Sequence, residues 1–341
     1  MPSASDRPTL SVILPVRNAE DTLASAIGSI IGQTFSAWEL IIADDGSTDA
    51  SSEIADRFAQ TDRRIRVLRL PAAGIVAALN EAIAAARGEF IARMDADDIS
   101  RSDRLARQVA LLKEKPAVGV VSCLVNFGGN RSASRGYAEH VAWLNSIRTS
   151  EAIETSRFIE SPVAHPSVVF KRELIQSHGG YHAGDFPEDY ELWLRWMDAG
   201  IRFAKVEAEL LTWNDSPGRL SRTGSRYATD AFYRIKCHYL RRWLARNVPP
   251  ERPIWLWGAG RVTRKRFRSL EKEHGRFHGF VDIHPGKVGV MIQGRPVVAP
   301  EDVPPDAFLL VAVGTRGMRN EIKDFLESNG RQEGRDFLCA A

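Results

Sequence analysis

Asp95-Ala96-Asp97-Asp98 places three carboxylates within four residues, directly after the apolar segment 90–94. Carboxylates this close repel one another and add nothing to a core. The simplest reason to hold them at a strand end is a divalent cation. A hard cation such as Mg²⁺ or Mn²⁺ takes oxygen ligands and keeps positions open for water and phosphate oxygens. The competing reading is a solvated acidic turn, or an N-cap for a helix over residues 101–115. A second cluster, Asp44-Asp45-Gly46-Ser47-Thr48-Asp49, follows the apolar segment 38–43. Its residue types also form turns by themselves, and Asp49 suits a helix cap.

These clusters need a frame. Residues 9–16 are apolar and rich in β-branched side chains, as in a buried strand. In 19–33, Leu23, Ile27, Ile30 and Ile31 recur at helical spacing. Residues 38–43, 65–70 and 90–94 read as further strands, and 51–60 and 74–86 as helices. This alternation predicts an α/β fold with a mainly parallel sheet and helices on both faces. Such sheets bind ligands beyond the carboxyl ends of their strands. Residues 15–18, 44–49 and 95–98 all lie at such ends and converge on one crevice.

A second alternation begins after Pro249-Pro250, which predicts domains at 1–248 and 251–341. A strand over 254–257 runs into Gly258-Ala259-Gly260, a helix is predicted over 262–273, and strands over 277–281 and 308–313. Gly258 and Gly260 let the backbone approach a phosphate at a helix N-terminus. Asp282 follows at the distance of a ribose-binding carboxylate. Thr263 stands where that fingerprint has its third glycine.

At 341 residues the chain has room for two domains. Its 44% hydrophobic and 26% charged residues are those of a soluble globular protein. No apolar run reaches the ~18 residues of a membrane span. The first residues are polar and carry no leader pattern, and the three cysteines are scattered. Both features read as a reducing, cytoplasmic location. A net charge of +3 gives no case for nucleic acid as a partner. In 227–246, Ala231, Ile235, Tyr239, Trp243 and Leu244 share a face, with Arg234, Lys236, Arg241, Arg242 and Arg246 elsewhere. That pattern fits a bridging helix with a solvated basic face. It also fits a helix lying peripherally on the inner face of an anionic membrane.

Ser11-Val12-Ile13-Leu14-Pro15-Val16-Arg17-Asn18, the Asp44–Asp49 run and Asp95-Ala96-Asp97-Asp98 together resemble the inverting family 2 glycosyltransferases of GT-A fold. The resemblance covers about residues 9–245. His165-Pro166-Ser167 and Glu188-Asp189-Tyr190-Glu191-Leu192-Trp193 resemble the family's acceptor-side segments. The resemblance implies a GT-A nucleotide-diphospho-sugar transferase fold, followed here by a small Rossmann-like α/β domain. It implies a nucleotide-diphosphate sugar as donor and a saccharide or lipid-linked saccharide as acceptor. Pro15, Val16 and Asn18 would line the base and ribose pocket, and Asp45 would accept from the base. Asp97 would bind Mn²⁺ or Mg²⁺, with Asp95 at the ribose or reaching the ion through water. Asp189, or its neighbour Glu188, would be the base that takes the acceptor's proton. Asp189 also suits an N-cap. His165 is either a packed histidine or a phosphate contact. Relatives of this family carry a histidine or basic residue in the loop after Leu211. Here that loop, 213–222, offers Asn214, Asp215, Arg219 and Arg222.

Segments 281–289 and 294–297 resemble small sugar-nucleotide-binding domains, which implies a binding or scaffolding role for the second domain. The alternative for the whole chain is a non-catalytic nucleotide-sugar-binding regulator. A nucleotidyltransferase would carry a glycine-rich loop after the first strand, where this chain has Pro15-Val16-Arg17-Asn18-Ala19-Glu20.

Overall fold

The computed structural model describes residues 7–215, 224–270 and 277–341. These form two compact units. The first comprises residues 1–153, 163–184 and 188–223. The second comprises 154–162, 185–187 and 224–341. The helix Thr229–Asn247 therefore groups with the second unit.

The first unit is built on eight strands: β1 (Leu10–Val16), β2 (Trp38–Asp45), β3 (Ile65–Leu70), β4 (Phe90–Arg93), β5 (Ile99–Ser100), β6 (Val118–Phe127), β7 (Val169–Lys171) and β8 (Arg202–Trp213). Their order in the sheet is β3-β2-β1-β4-β7-β6-β8-β5. β3, β2, β1 and β4 are mutually parallel. β7 runs antiparallel to both β4 and β6, and β6 pairs parallel with β8.

Side-chain alternation along the strands divides the core between the two sheet faces. Leu10, Val12, Leu14 and Val16 of β1 join Leu40 and Ile42 of β2 on one face. α1 (Leu23–Ile31), α2 (Ser51–Thr61) and α4 (Arg104–Glu114) cover that face with residues such as Ile27, Ile54 and Val109. Ile13 and Ile41 point the other way, against Leu79 of α3 (Ile75–Ala85) and Trp193 and Trp196 of the helix Glu188–Asp198. Strands buried on both faces carry continuous apolar runs, as β1 does.

The second unit holds β9 (Ile254–Trp257), β10 (Phe277–Val281), β11 (Met291–Ile292), β12 (Arg295–Val298), β13 (Phe308–Val311) and β14 (Phe337–Cys339). The order is β11-β12-β10-β9-β13-β14, parallel throughout except for β11. Trp255, Trp257, Leu309 and Val311 share one face with Ile322 and Leu326 of the helix Arg316–Ser328. Phe308 lies against Trp243 of the helix Thr229–Asn247, with ring centroids 6.0 Å apart. The apolar side of that helix, including Tyr233, Leu240, Trp243 and Leu244, is buried. It is thus a packing element rather than a surface-lying one. Its buried Lys236 donates to the carbonyls of Ile159 at 2.8 Å and Ala340 at 3.0 Å. Trp243 also packs on Phe158. Segment 154–162 is in this way built into the second unit.

Candidate active site

β4 ends at Arg93, and the chain turns out of the sheet through Met94, whose amide donates to Ile13 O. The ligand oxygens of Asp95, Asp97 and Asp98 then lie within 4.8 Å of one another. That is about two metal–oxygen bonds across. An all-oxygen donor set of this size fits a hard divalent cation. Asp98, quoted in the sequence motif without a separate role, joins the cluster as its third carboxylate. It is fully buried and accepts the Asn214 amide at 2.9 Å. Asn214 also donates Nδ2 to Asp97 O at 2.6 Å. The end of β8 therefore holds the acidic turn in shape. A Cβ on Gly128 would sit 2.1 Å from Asn214 Oδ1, so this clamp needs glycine there. Arg219 and Arg222 of the same loop lie outside the described residues.

Beneath the turn lies a buried polar scaffold. Arg104, fully buried on α4, donates to Arg93 O at 2.7 Å and to Gln108 Oε1 at 3.0 Å. Gln108 donates in turn to Val121 O at 2.9 Å and Ser167 O at 2.8 Å. The last carbonyl of β4 is so tied to β6 and to the turn His165–Ser167.

The exits of β1 and β2 are knitted together beside this cluster. Pro15 and Val16 are buried in register with Ala43 and Asp44. Pro15 faces the side where β4 has already ended, so its missing N–H breaks no ladder bond. Asn18 takes a left-handed backbone, φ 52°, which asparagine tolerates. Its Oδ1 accepts the Thr48 amide at 2.8 Å, and its own amide donates to Ser47 Oγ at 3.1 Å. Asp44 and Asp45 alternate across the sheet. Asp44 faces α2, where it accepts from Ser47 N and Arg69. Asp45 faces α3 and accepts the amides of Ala73 at 2.7 Å and Gly74 at 2.9 Å. Arg17 stands 3.7 Å from its second oxygen. Gly74 adopts φ +92°, a region L side chains avoid, in order to aim its amide at Asp45.

Asp189 arrives from the face that α3 covers, in the first turn of the helix Glu188–Asp198. The helix begins at Glu188, one residue before the expected cap, and Asp189 Oδ1 accepts the Tyr190 amide at 2.8 Å. Burial, and then the charge of Glu188, push the Asp189 carboxyl up to about 7. The turn is held by Arg195, which pairs with Glu191 at 2.9 Å and donates to Gly180 O at 2.6 Å. Asn80 of α3 brackets Tyr181 through its amide and carbonyl at 3.0 and 2.8 Å.

Arg93 links the acidic turn to Asp189. Its fully buried guanidinium pairs with Asp95 and acts electrostatically on Asp189, Tyr181 and His165. His165 Nε2 lies 2.7 Å from Tyr181 Oη. Burial, then the charge of Arg93, hold the imidazole well below its ordinary range, so it stays neutral. His165 is thus a packed, uncharged histidine, the first of its two sequence readings. Arg93 and Tyr181 are absent from the sequence-derived set. The available signal for Arg93 was a lone cation inside an apolar strand, one residue from the acidic turn.

Pro15, Val16, Asn18, Asp45, Asp95, Asp97 and Asp189 all belong to the first unit. Gly258, Gly260 and Asp282 meet separately at the ends of β9 and β10. There Asp282 accepts from Ala259 N at 3.2 Å, His284 N at 3.0 Å and Lys287 Nζ at 2.8 Å. Protein groups thus already engage the carboxylate expected for a ribose. The helix that follows, Arg261–Arg266, has six residues.

Residues 11–179 match the family Glycosyl transferase family 2. The putative glycosyltransferase EpsE of Bacillus subtilis is 29% identical over 65% of this chain and 79% of its own length. The O-antigen biosynthesis glycosyltransferase WbnJ of Escherichia coli is 29% identical over 70% of this chain and 90% of its own. The bifunctional glycosyltransferase pgtA of Dictyostelium discoideum is also 29% identical, over 69% of this chain, which spans 36% of that larger protein. Among solved structures, S. aureus TarS 1-349 with UDP-GlcNAc superposes with a TM-score of 0.53 at 17% identity, over 69% of this chain and 66% of that one. The mannosyltransferase PcManGT of Pyrobaculum calidifontis, with GDP-Man and Mn²⁺, gives 0.51 at 21%, over 80% and 70%. The α/β fold with its mostly parallel sheet is that of these GT-A enzymes. The chain is a glycosyltransferase, and its residues 11–179 match glycosyl transferase family 2.

Proposed function

We propose that the chain transfers a sugar, with inversion, from a nucleoside-diphosphate sugar to a hydroxyl of a saccharide or lipid-linked saccharide during cell-surface polysaccharide synthesis. The observation that carries this reading is the meeting of the acidic turn beyond β4, through Asp95 and Asp98, with Asp189 at the buried guanidinium of Arg93. The nucleotide sugars in complex with TarS and PcManGT, and the O-antigen biosynthesis role of WbnJ, support the donor and pathway class.

Pro15, Val16, Asn18 and Asp45 line the donor's nucleoside in this reading. Asp45 shares its second oxygen between Gly74 and a base N–H. Asp97 and Asp98 hold Mn²⁺ or Mg²⁺, with Asp95 at the ribose or behind a water. A bound divalent cation supplies positive charge to the departing diphosphate. Asp189 takes the acceptor hydroxyl's proton as that oxygen attacks the anomeric carbon. A base needs an affinity for the proton near the working pH, and burial beside Glu188 gives Asp189 that affinity. Arg93 limits the rise by favouring the ionised form. Gly258, Gly260 and Asp282 form a second, accessory nucleotide site in this reading.

The test is thermal melting with UDP-, GDP- and dTDP-sugars, with and without Mn²⁺, followed by donor hydrolysis. A cognate donor should raise the melting temperature by mass action, more so with metal. No shift and no hydrolysis across the panel would overturn the proposal.

A further inference from the structure

Asp45 closes β2 and is buried, with 4% of its surface exposed. Its hydrogen bonds leave a definite remainder. An ionised carboxylate offers about four lone-pair positions and no donor of its own. Oδ1 accepts two amides, Ala73 N at 2.7 Å and Gly74 N at 2.9 Å. Oδ2 accepts a share of the Gly74 amide at 3.0 Å. The remaining capacity of this carboxylate therefore lies on Oδ2 and suits one further N–H. The backbone around it is closely set: a Cβ on Gly46 would come within 3.1 Å of Ala72 N and Ala72 Cβ. The two amides on Oδ1 are thus held in place by the loops that present them.

Arg17 supplies the complementary half. It follows β1, and its guanidinium stands 3.7 Å from Asp45 Oδ2 with 54% of the side chain exposed. That spacing is an ion pair and too long for a hydrogen bond. Among the described residues the Arg17 guanidinium makes no hydrogen bond, whereas Arg69 nearby is committed to Asp44 and Asp56. One acceptor position beside a fork of N–H donors reads one N–H with a carbonyl next to it.

The nucleobases differ in this pattern. Uracil and thymine carry one ring N–H between two carbonyl oxygens. The N–H meets Asp45 Oδ2, and a flanking oxygen meets Arg17. Guanine carries its ring N–H and its amine side by side. The second donor would fall to Oδ1, whose two positions already hold the amides of Ala73 and Gly74. Adenine and cytosine carry a bare ring nitrogen beside their amine in place of a carbonyl, which gives Arg17 one lone pair instead of two. We propose that Asp45 and Arg17 together select a uracil or thymine nucleotide and disfavour guanine. The proposal rests on the donor-site reading of Asp45 above and adds the base to it.

Calorimetric titration of the full chain with UDP, dTDP, CDP, ADP and GDP, in the presence of Mn²⁺, tests this. The diphosphate is common to all, so differences report the nucleoside. The tighter of UDP and dTDP should bind about tenfold or more above GDP, the effect of one donor left unpaired against a saturated oxygen. It should also lead CDP and ADP, and the comparison of UDP with dTDP separates the two bases. Arg17→Ala alters a half-exposed side chain. It should weaken the preferred nucleotide and erase most of its lead over CDP and ADP. The lead over GDP should stay, since Asp45 sets it. Equal weakening of all five by Arg17→Ala would place Arg17 on the diphosphate and overturn the paired reading. Tightest binding by GDP, CDP or ADP would overturn the inference and leave the donor site standing. No binding by any of the five would overturn the donor-site reading, and the inference with it.

Discussion

Asp189 couples reactivity to stability through one proton. Its ordinary value is near 3.8, and in the folded chain it rises to about 7. Between those limits the folded state holds a proton that the unfolded state has lost. Stability from this group is therefore present at low pH and is lost as the pH rises through the window. Asp189→Asn removes the titration. The variant should melt higher than wild type at pH 8 and close to it at pH 4, as read by calorimetry. The same change should cut transfer on the order of 10²-fold or more, with donor binding kept. Should Glu188→Gln abolish transfer while Asp189→Asn retains it, the base is Glu188. Asp97→Asn should depress transfer strongly and weaken the response to Mn²⁺ without changing the melt; an unaltered metal response would remove Asp97 from the site. Asp97 is legible in the sequence as a charge placed where no core needs one, and Asp189 through the family resemblance of the segment 188–193. Arg93 is not, since a buried cation looks like any surface arginine until its carboxylate partners are brought to it by the fold. Asp45 is legible as a site residue, but its grip on the Gly74 amide is not, because that pairing joins loops 28 and 29 residues apart.

At the scale of elements, the helices act mainly as clamps on strand ends. α4 is the clearest case. Gln108 satisfies Arg104, Val121 O and Ser167 O at once, all away from water. Gln108→Leu leaves those groups without their partner. It should destabilise the chain by about 2–5 kcal/mol, measured by denaturant melting. A change under about 0.5 kcal/mol, the usual size of a surface substitution, would show that the scaffold is not needed. Periodicity identifies β1 to β4 and α1 to α3 within a few residues, because these strands are continuous apolar runs bounded by turn residues. It does not place β7, three residues long, whose antiparallel insertion between β4 and β6 has no local signature. β8 is obscured differently. It pairs with β6 through three register shifts, so its alternation is broken by charged residues such as Lys205 and Glu209. β6 carries a readable apolar run, yet its place beyond β7 follows only from tertiary pairing.

At the scale of the whole molecule, the division into units does not follow chain order. The Pro249-Pro250 pair suggests a boundary there, while the helix before it packs Trp243 on Phe308 of the second sheet and Tyr233 on Phe267. A chain ending at Val248 would uncover Tyr233 and Trp243. It should bind an apolar dye and aggregate on mild heating, where the full chain does not; a monodisperse product with an unchanged melt would refute that packing argument. The same interleaving bears on synthesis. Segment 154–162 leaves the ribosome long before its partners exist. Ile159 waits 77 residues for Lys236. At about 5–20 residues per second this is a delay on the order of ten seconds. Throughout it Phe158 has no Trp243 to pack on, and the wait for the final strand is longer still. The nascent chain thus carries an unfinished patch in the middle of an otherwise completable sheet, a natural station for a ribosome-bound chaperone.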